Sequence, residues 1–286
     1  MAQTEVSGLF QWLKFGTAAA DTGTGVVDGG DLRLNPNLRS RFGIGGQQTR
    51  KGGVVDGGGA ASFYITNTNV TLAQALLRAS YPRGAITELE LEGGADEWAI
   101  DYSTCPLVSG RIYQPRDDAF RADVVWGSQT PAAGSGSSAI AEGAVGIDDY
   151  EWTCEFEEDE YGILDFAIDI NNNVTFGRSK DTVAASSKRL SNYYIYGVEN
   201  LSVQMTCGRP LPIGTLGTIA DELATDLGAL FTGVGPDYTA TLTLTNLAQS
   251  DFGHSWVDNN SQVLWTYTFT GDGQNGSLDF DWAETA

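Results

Sequence analysis

"DLRLNPNLRSRFG" occupies Asp31–Gly43, and "AIDINNNVTFGRS" occupies Ala167–Ser179. In each, apolar and polar residues alternate as in a half-buried strand, an Asn-rich turn follows, and an Arg comes shortly after. Leu32, Leu34, Asn35 and Asn37 match Ile168, Ile170, Asn171 and Asn173 at one constant spacing. Downstream the order repeats, "GGGAASFYIT" (57–66) against "YGVENLSVQMT" (196–206), then one helix-prone stretch against another. After them "ITELELE" (86–92) stands against "YTATLTLT" (238–245) and "EWAIDYS" (97–103) against "VLWTYTF" (263–269). Each copy runs strand, loop, strand, helix, strand, strand, with a period far too long for a solenoid. This predicts an internal duplication. Residues 1–127 form a first β unit, 128–146 a flexible loop or boundary of small and polar residues, and 147–286 a second β unit. The alternative is that any pair of β-rich domains shares this texture.

Period-two alternation of β-branched and aromatic residues also marks "SFYIT", "ADVVWG", "YEWTCEFEE", "ILDFAIDI", "LSVQMT" and "GSLDFDWA", so the fold is mostly β. Two stretches prefer helix. Thr71–Ser80 has Thr71 as its N-cap candidate and Leu72, Leu76 and Ala79 on one face; Gly217–Phe231 has Thr218 and the face Ile219, Leu223, Leu227.

With 37 Asp+Glu against 16 Lys+Arg in 286 residues, the formal net charge is -21, and the only lysines are Lys14, Lys51, Lys180 and Lys188. Such a chain lacks the clustered cations that grip phosphates by releasing counterions, and it suits an anionic membrane no better. Disorder is excluded by the 10% aromatic residues, seven Trp among them, spread along the chain. Few lysines beside many acidic residues resembles the composition of proteins from extreme halophiles. No apolar run approaches the roughly 20 residues that span a bilayer, and the first residues lack the basic start and apolar middle of a signal peptide. The chain reads as soluble.

Signatures of chemistry fail in turn. Cys105, Cys154 and Cys207 are widely separated and read as small buried hydrophobes, not as a zinc site or disulfide framework. His254 is the only histidine, and no nucleophile elbow accompanies it. "GIGGQQTRKGG" (43–53) fits no phosphate-binding pattern and reads as a flexible loop. "EFEEDEY" (155–161) lacks the spacing of a calcium loop and reads as a charged strand edge that discourages aggregation. Paired carboxylates for glycoside hydrolysis are available in any chain this acidic. Sequons at Asn69, Asn173, Asn200, Asn259 and Asn275 permit glycosylation. The expectation is a structural protein with no catalytic, cofactor-binding or metal-binding residues.

The duplicated order of strand, Arg-containing loop, strand ("GGGAASFYIT", "YGVENLSVQMT"), short helix "TLAQALLRASYPRG" and returning hairpin resembles the tail tube proteins of siphovirus-like tailed viruses. The resemblance implies two tandem tail-tube-like β-sandwich or half-barrel units, each with one flanking α-helix. It implies self-association into rings whose sheets join into an inner barrel, here a homotrimer with pseudo-sixfold geometry. It further implies stacking into a tube, contacts with tape measure and terminator proteins, DNA passing through the lumen without specific binding, and a place in the virion of a virus of a halophilic archaeon. Two other readings stay open: a capsid decoration or surface-layer protein, and a carbohydrate-binding β-sandwich that stacks sugars on Trp98, Trp126, Trp152 or Trp265.

Overall fold

The computed structural model describes residues 11–17, 20, 22–23, 27–35, 38–43, 46–51, 56–77, 88–95, 98–128, 130–134, 146–147, 151–156, 159–180, 190–211, 227–256, 263–271 and 276–285. The fold is mostly β, antiparallel throughout. The first half contributes β1 (Gln11–Gly16), β2 (Thr22–Gly23), β3 (Val27–Asn35), the hairpin β4 (Leu38–Gly43) and β5 (Gly46–Lys51), and β6 (Asp56–Tyr64). After α1 (Val70–Gln74) come β7 (Glu88–Ala95), β8 (Trp98–Gln114), β9 (Arg121–Ser128) and β10 (Thr130–Ala133). The second half opens with β11 (Trp152–Phe156), β12 (Asp159–Tyr161) and β13 (Ile163–Asn171), followed by the hairpin β14 (Val174–Lys180) and β15 (Leu190–Tyr196). It ends with β16 (Asn200–Cys207), β17 (Leu227–Val234), β18 (Tyr238–Trp256), β19 (Val263–Gly271) and β20 (Ser277–Glu284).

Strand pairing repeats with a period of ten strands. In the first half β3 pairs β6, β6 pairs β9, β9 pairs β8, and β8 also pairs β7 and β10. In the second, β13 pairs β16, β16 pairs β19, β19 pairs β18, and β18 also pairs β17 and β20. The irregularities repeat as well. Bulges fall at Asp28 in β3 and Leu164 in β13, separated by the same distance along the chain as Leu32 and Ile168. Val108 in β8 and Ser250 in β18 are bulged too, at a slightly longer separation. At that longer separation Thr104 and Asn246 adopt left-handed backbone, with φ 55 and 52. There each long strand bends, leaving one sheet and entering another.

The bend creates two layers. β3-β6-β9-β8-β13-β16-β19-β18 form one continuous sheet, and the first halves of β8 and β18 peel away into two smaller sheets behind it, β2-β1-β7-β8-β10 and β12-β11-β17-β18-β20. Between the layers lies the core. Phe63, Trp126, Ile112, Ile168, Val203 and Phe269 face inward from the large sheet, and Phe15, Leu91, Tyr102, Cys154, Phe231 and Leu242 from the small ones. Val70, Leu72, Ala73 and Leu76 add the buried face of α1 and the turn after it.

The structure changes five of the expectations. The helix over Thr71–Ser80 begins earlier and is short. Asn69 is its N-cap residue, while the Asn69 side chain accepts from Thr66 N–H and donates to the Tyr64 carbonyl, tying down the preceding turn. Asn69 is fully buried, which removes it as a glycosylation acceptor. Leu227–Phe231, assigned to a second helix, is strand, because a segment paired on both sides by β11 and β18 alternates burial with period two whatever its local propensity. Residues 212–226, with Thr218, lie outside the described residues. Recognising β17 moves the strand equivalences by one: β7 matches β17, β8 matches β18, and β9 matches β19. Finally, Gly46–Lys51 and Thr130–Ala133 are strands where loops were expected.

Candidate assembly interface

The two halves meet where β8 pairs β13. Ile112 stands opposite Ile168 and Arg111 opposite Asp169 in a register running from Gln114↔Phe166 to Ser109↔Asn171. Ile112 and Ile168 are buried on the core side. On the other face the Arg111 guanidinium grips Asp169 with two bonds, Nε to Oδ1 at 2.7 Å and Nη2 to Oδ2 at 3.0 Å. The carboxylate raises the Arg111 pKa further, against partial burial. Both side chains are about half exposed, so the pair contributes under about 1 kcal/mol and serves register more than stability. Backbone approach is close: a Cβ at Gly110 would collide with the Asp123 carbonyl and the Leu76 side chain.

The Asn-rich turn closes this joint. Asn173 takes φ 48 while its N–H donates to Asn171 Oδ1 at 2.9 Å, an Asx turn that stops β13. Asn172 is fully buried; its Nδ2 donates to the carbonyls of Leu76 and Leu107 at 3.0 Å each, and its N–H to the Val108 carbonyl at 2.9 Å. One side chain thus ties the second half to the end of the helical segment and to the bulge of β8. Asn172→Ala is expected to cost about 1–3 kcal/mol, since it removes the side-chain donor to two buried carbonyls. A urea midpoint unchanged from the parent chain would show that the latch is dispensable.

The face of the large sheet turned away from the core is mostly polar, with Val125 exposed on it. It carries Ser62, Asp123, Arg111, Asp169, Ser202, Gln204, Thr266, Thr268 and Asp251, all cross-strand neighbours by register. Near the joint it encloses an open groove of about 710 Å³ that includes Arg111, Asp169, Asn200 and Thr270. Among the described residues its arginines are each engaged by an aspartate: Arg111 by Asp169, Arg121 by Asp118 at 3.1 Å, and Arg33 by Asp31. The cationic sequence is elsewhere. The hairpins β4–β5 and β14–β15 and the residues joining their strands carry Arg39, Arg41, Arg50, Lys51, Arg178, Lys180, Lys188 and Arg189, half of the chain's 16 Lys+Arg. Between Leu38 and Lys51 there is no acidic residue, and between Val174 and Tyr196 only Asp181. Each hairpin is a two-stranded sheet of its own.

The remaining sequence candidates fall into place. Cys105, Cys154 and Cys207 are buried and free, and burial raises all three thiol pKa values, that of Cys207 to about 12. Trp126 and Trp152 are buried, so neither offers a ring to a sugar; Trp265 packs partly buried against the core, and Trp98 opens β8. His254 lies in β18. Glu155 and Glu160 pair across β11 and β12, with β12 the outermost strand of its sheet. The signal that sequence reasoning missed is the bulge pattern, invisible until the partners of each strand are known.

No protein-family profile matches the chain, and no curated protein matches it in sequence. Among solved structures it is similar to Hcp1 from Flavobacterium johnsoniae at 13% identity, over 47% of this chain and 98% of that chain, with a TM-score of 0.25. A likeness that low does not discriminate among β folds. Among the described residues no helix is long and apolar enough to cross a membrane.

Proposed function

We propose that this chain is a non-enzymatic structural subunit of a viral tail tube, three copies closing into a ring and rings stacking into a conduit for DNA. The observation that carries the reading is the continuous large sheet, apolar behind, polar in front and unpaired at both ends among the described residues. Three such sheets placed end to end give a barrel of about 24 strands. At about 4.8 Å between strands and a tilt near 40°, its backbone diameter is roughly 48 Å, wide enough for an aqueous lumen. Arginines already engaged by aspartates give a wall that passes polyanions without holding them. An acidic body fits a virion made in a salt-loving archaeal host.

Negative-stain microscopy with mass measurement of isolated rings tests the proposal. Rings of three chains are expected; six chains per ring would refute the trimer, and monomers or flat sheets would favour a decoration or surface-layer protein. The basic hairpins supply the axial contact, laid against the acidic body of the next ring. Replacing Arg39, Arg41, Arg50 and Lys51 together with serine is therefore expected to leave single rings and abolish stacks in the same images. Full-length tubes from that variant would assign stacking to another surface.

A further inference from the structure

The β8–β13 joint has no counterpart for the second half within the described chain. The other pairings of the large sheet recur ten strands later, yet the C-terminal half of β18, the equivalent of β8 at this joint, pairs only β19 among the described strands. Likewise β3, the equivalent of β13, pairs only β6. These are the two ends of the large sheet. We infer that β18 of one copy pairs β3 of the next, antiparallel, in the register of the internal joint. This rests on the ring proposal and adds to it the partner strands and their alignment.

Superposing β18 on β8 through their bulges, Ser250 on Val108, and β3 on β13 through theirs, Asp28 on Leu164, carries the internal register over to the two free edges. Trp256 then falls opposite Gly30, Ser255 opposite Asp31, His254 opposite Leu32 and Gly253 opposite Arg33. The chemistry agrees with this alignment. Inside the chain Phe166 of β13 stands opposite Gln114, and between copies Gly30 takes the Phe166 position. Arg33, with its side chain 78% exposed and leaning on Asp31 of its own strand, comes opposite Gly253 and diagonal to the exposed Asp251, within reach of a long side chain. The outer strands of the two smaller sheets are guarded: β2 has two residues, β10 has four and contains Pro131, β12 carries Asp159 and Glu160, and β20 carries Asp279, Asp281 and Glu284. The two ends of the large sheet are different strands, β3 and β18, so a contact between them is head-to-tail and closes only as a ring or runs on as a helix.

The test is disulfide trapping in the full chain. Gly253→Cys with Arg33→Cys puts two thiols at directly opposed positions, where Cβ atoms lie about 4.5–5.5 Å apart, close to the span of a disulfide. The buried native thiols stay out of the exchange. Under mild oxidation, non-reducing electrophoresis should show covalent dimers and trimers, at least about tenfold more than from Gly253→Cys with Leu32→Cys, which is out of register and on the opposite face. Arg111→Cys with Asp169→Cys, at the internal joint, is the positive control and should form a bond within one chain. Assembled rings without cross-links would overturn this joint and leave the tube reading standing. Absence of both rings and cross-links would overturn both, and equal trapping in the two registers would overturn the alignment. Charge reversal supplies a readout that does not depend on thiols. Arg33→Asp or Asp251→Arg alone should reduce ring yield severalfold, and the double variant should restore it; no rescue, with circular dichroism unchanged, counts against the joint.

Discussion

Replacing Phe166 with alanine is expected to destabilise the chain by about 3–5 kcal/mol, the range for removing a buried aromatic ring from a packed core. Phe166 is 2% exposed, stacks on Phe231 with ring centroids 4.5 Å apart, and meets Trp152 at 5.0 Å and Phe120 at 6.1 Å. Phe120 comes from the end of the first half, and the other rings come from the second. The cluster therefore holds the halves together as the Asn172 latch does, but through apolar area. A loss of that size is a large fraction of a typical stability of about 5–15 kcal/mol. Urea unfolding followed by tryptophan fluorescence measures it, with Trp152 beside the cavity as reporter. A loss below about 1 kcal/mol would mean the site collapses around the gap and that the cluster is not the tie between halves.

Alkaline pH should unfold the protein more steeply than its acidic composition suggests. Burial keeps Cys105, Cys154 and Cys207 protonated in the fold well above the ordinary thiol value of 9.0. Because the folded values are raised, the unfolded chain releases these protons first. The stabilisation is intact below pH 9 and is lost as pH rises from there towards the folded values. Each thiol contributes about 1.4 kcal/mol per pH unit, so three together remove about 4 kcal/mol per unit above pH 9. Tyr102, raised by burial to about 12 from 10.0, adds to the loss above pH 10. Urea midpoints at pH 8 and pH 10.5 should differ severalfold, and Cys154→Ala should remove about a third of the thiol slope. A flat profile through pH 10.5 would show that the thiols are reached by water.

The repeat unit was legible in sequence because its signal is local. Alternation over Leu32 and Leu34 and over Ile168 and Ile170, followed by the same asparagines, survives without any knowledge of partners. The end of the second predicted helix was not legible, because Leu227 continues the four-residue spacing of Ile219 and Leu223, and the alternation of Ala229 and Phe231 outweighs it only once β11 and β18 are placed on either side. The latch was half visible. Its asparagine turn could be read, whereas the burial of Asn172 against Leu76 and Leu107, 96 and 65 residues away, is a product of topology alone. The β4–β5 hairpin was masked by its glycines, which read as slack chain although Leu38–Gly43 and Gly46–Lys51 pair strand to strand.

The covalent link between the halves has a kinetic consequence for the proposed ring of three. Six separate units would need five encounters and a final closure, and each encounter forfeits translational and rotational freedom worth at least several kcal/mol. With β8 and β13 joined in every chain, three chains need two encounters and one closure. Half of the contacts around the circumference then form at the effective concentration of a tether instead of that of free protein in the cell. Ring yield should follow roughly the third power of subunit concentration instead of the sixth, so assembly would start from a scarcer pool and with fewer incomplete arcs.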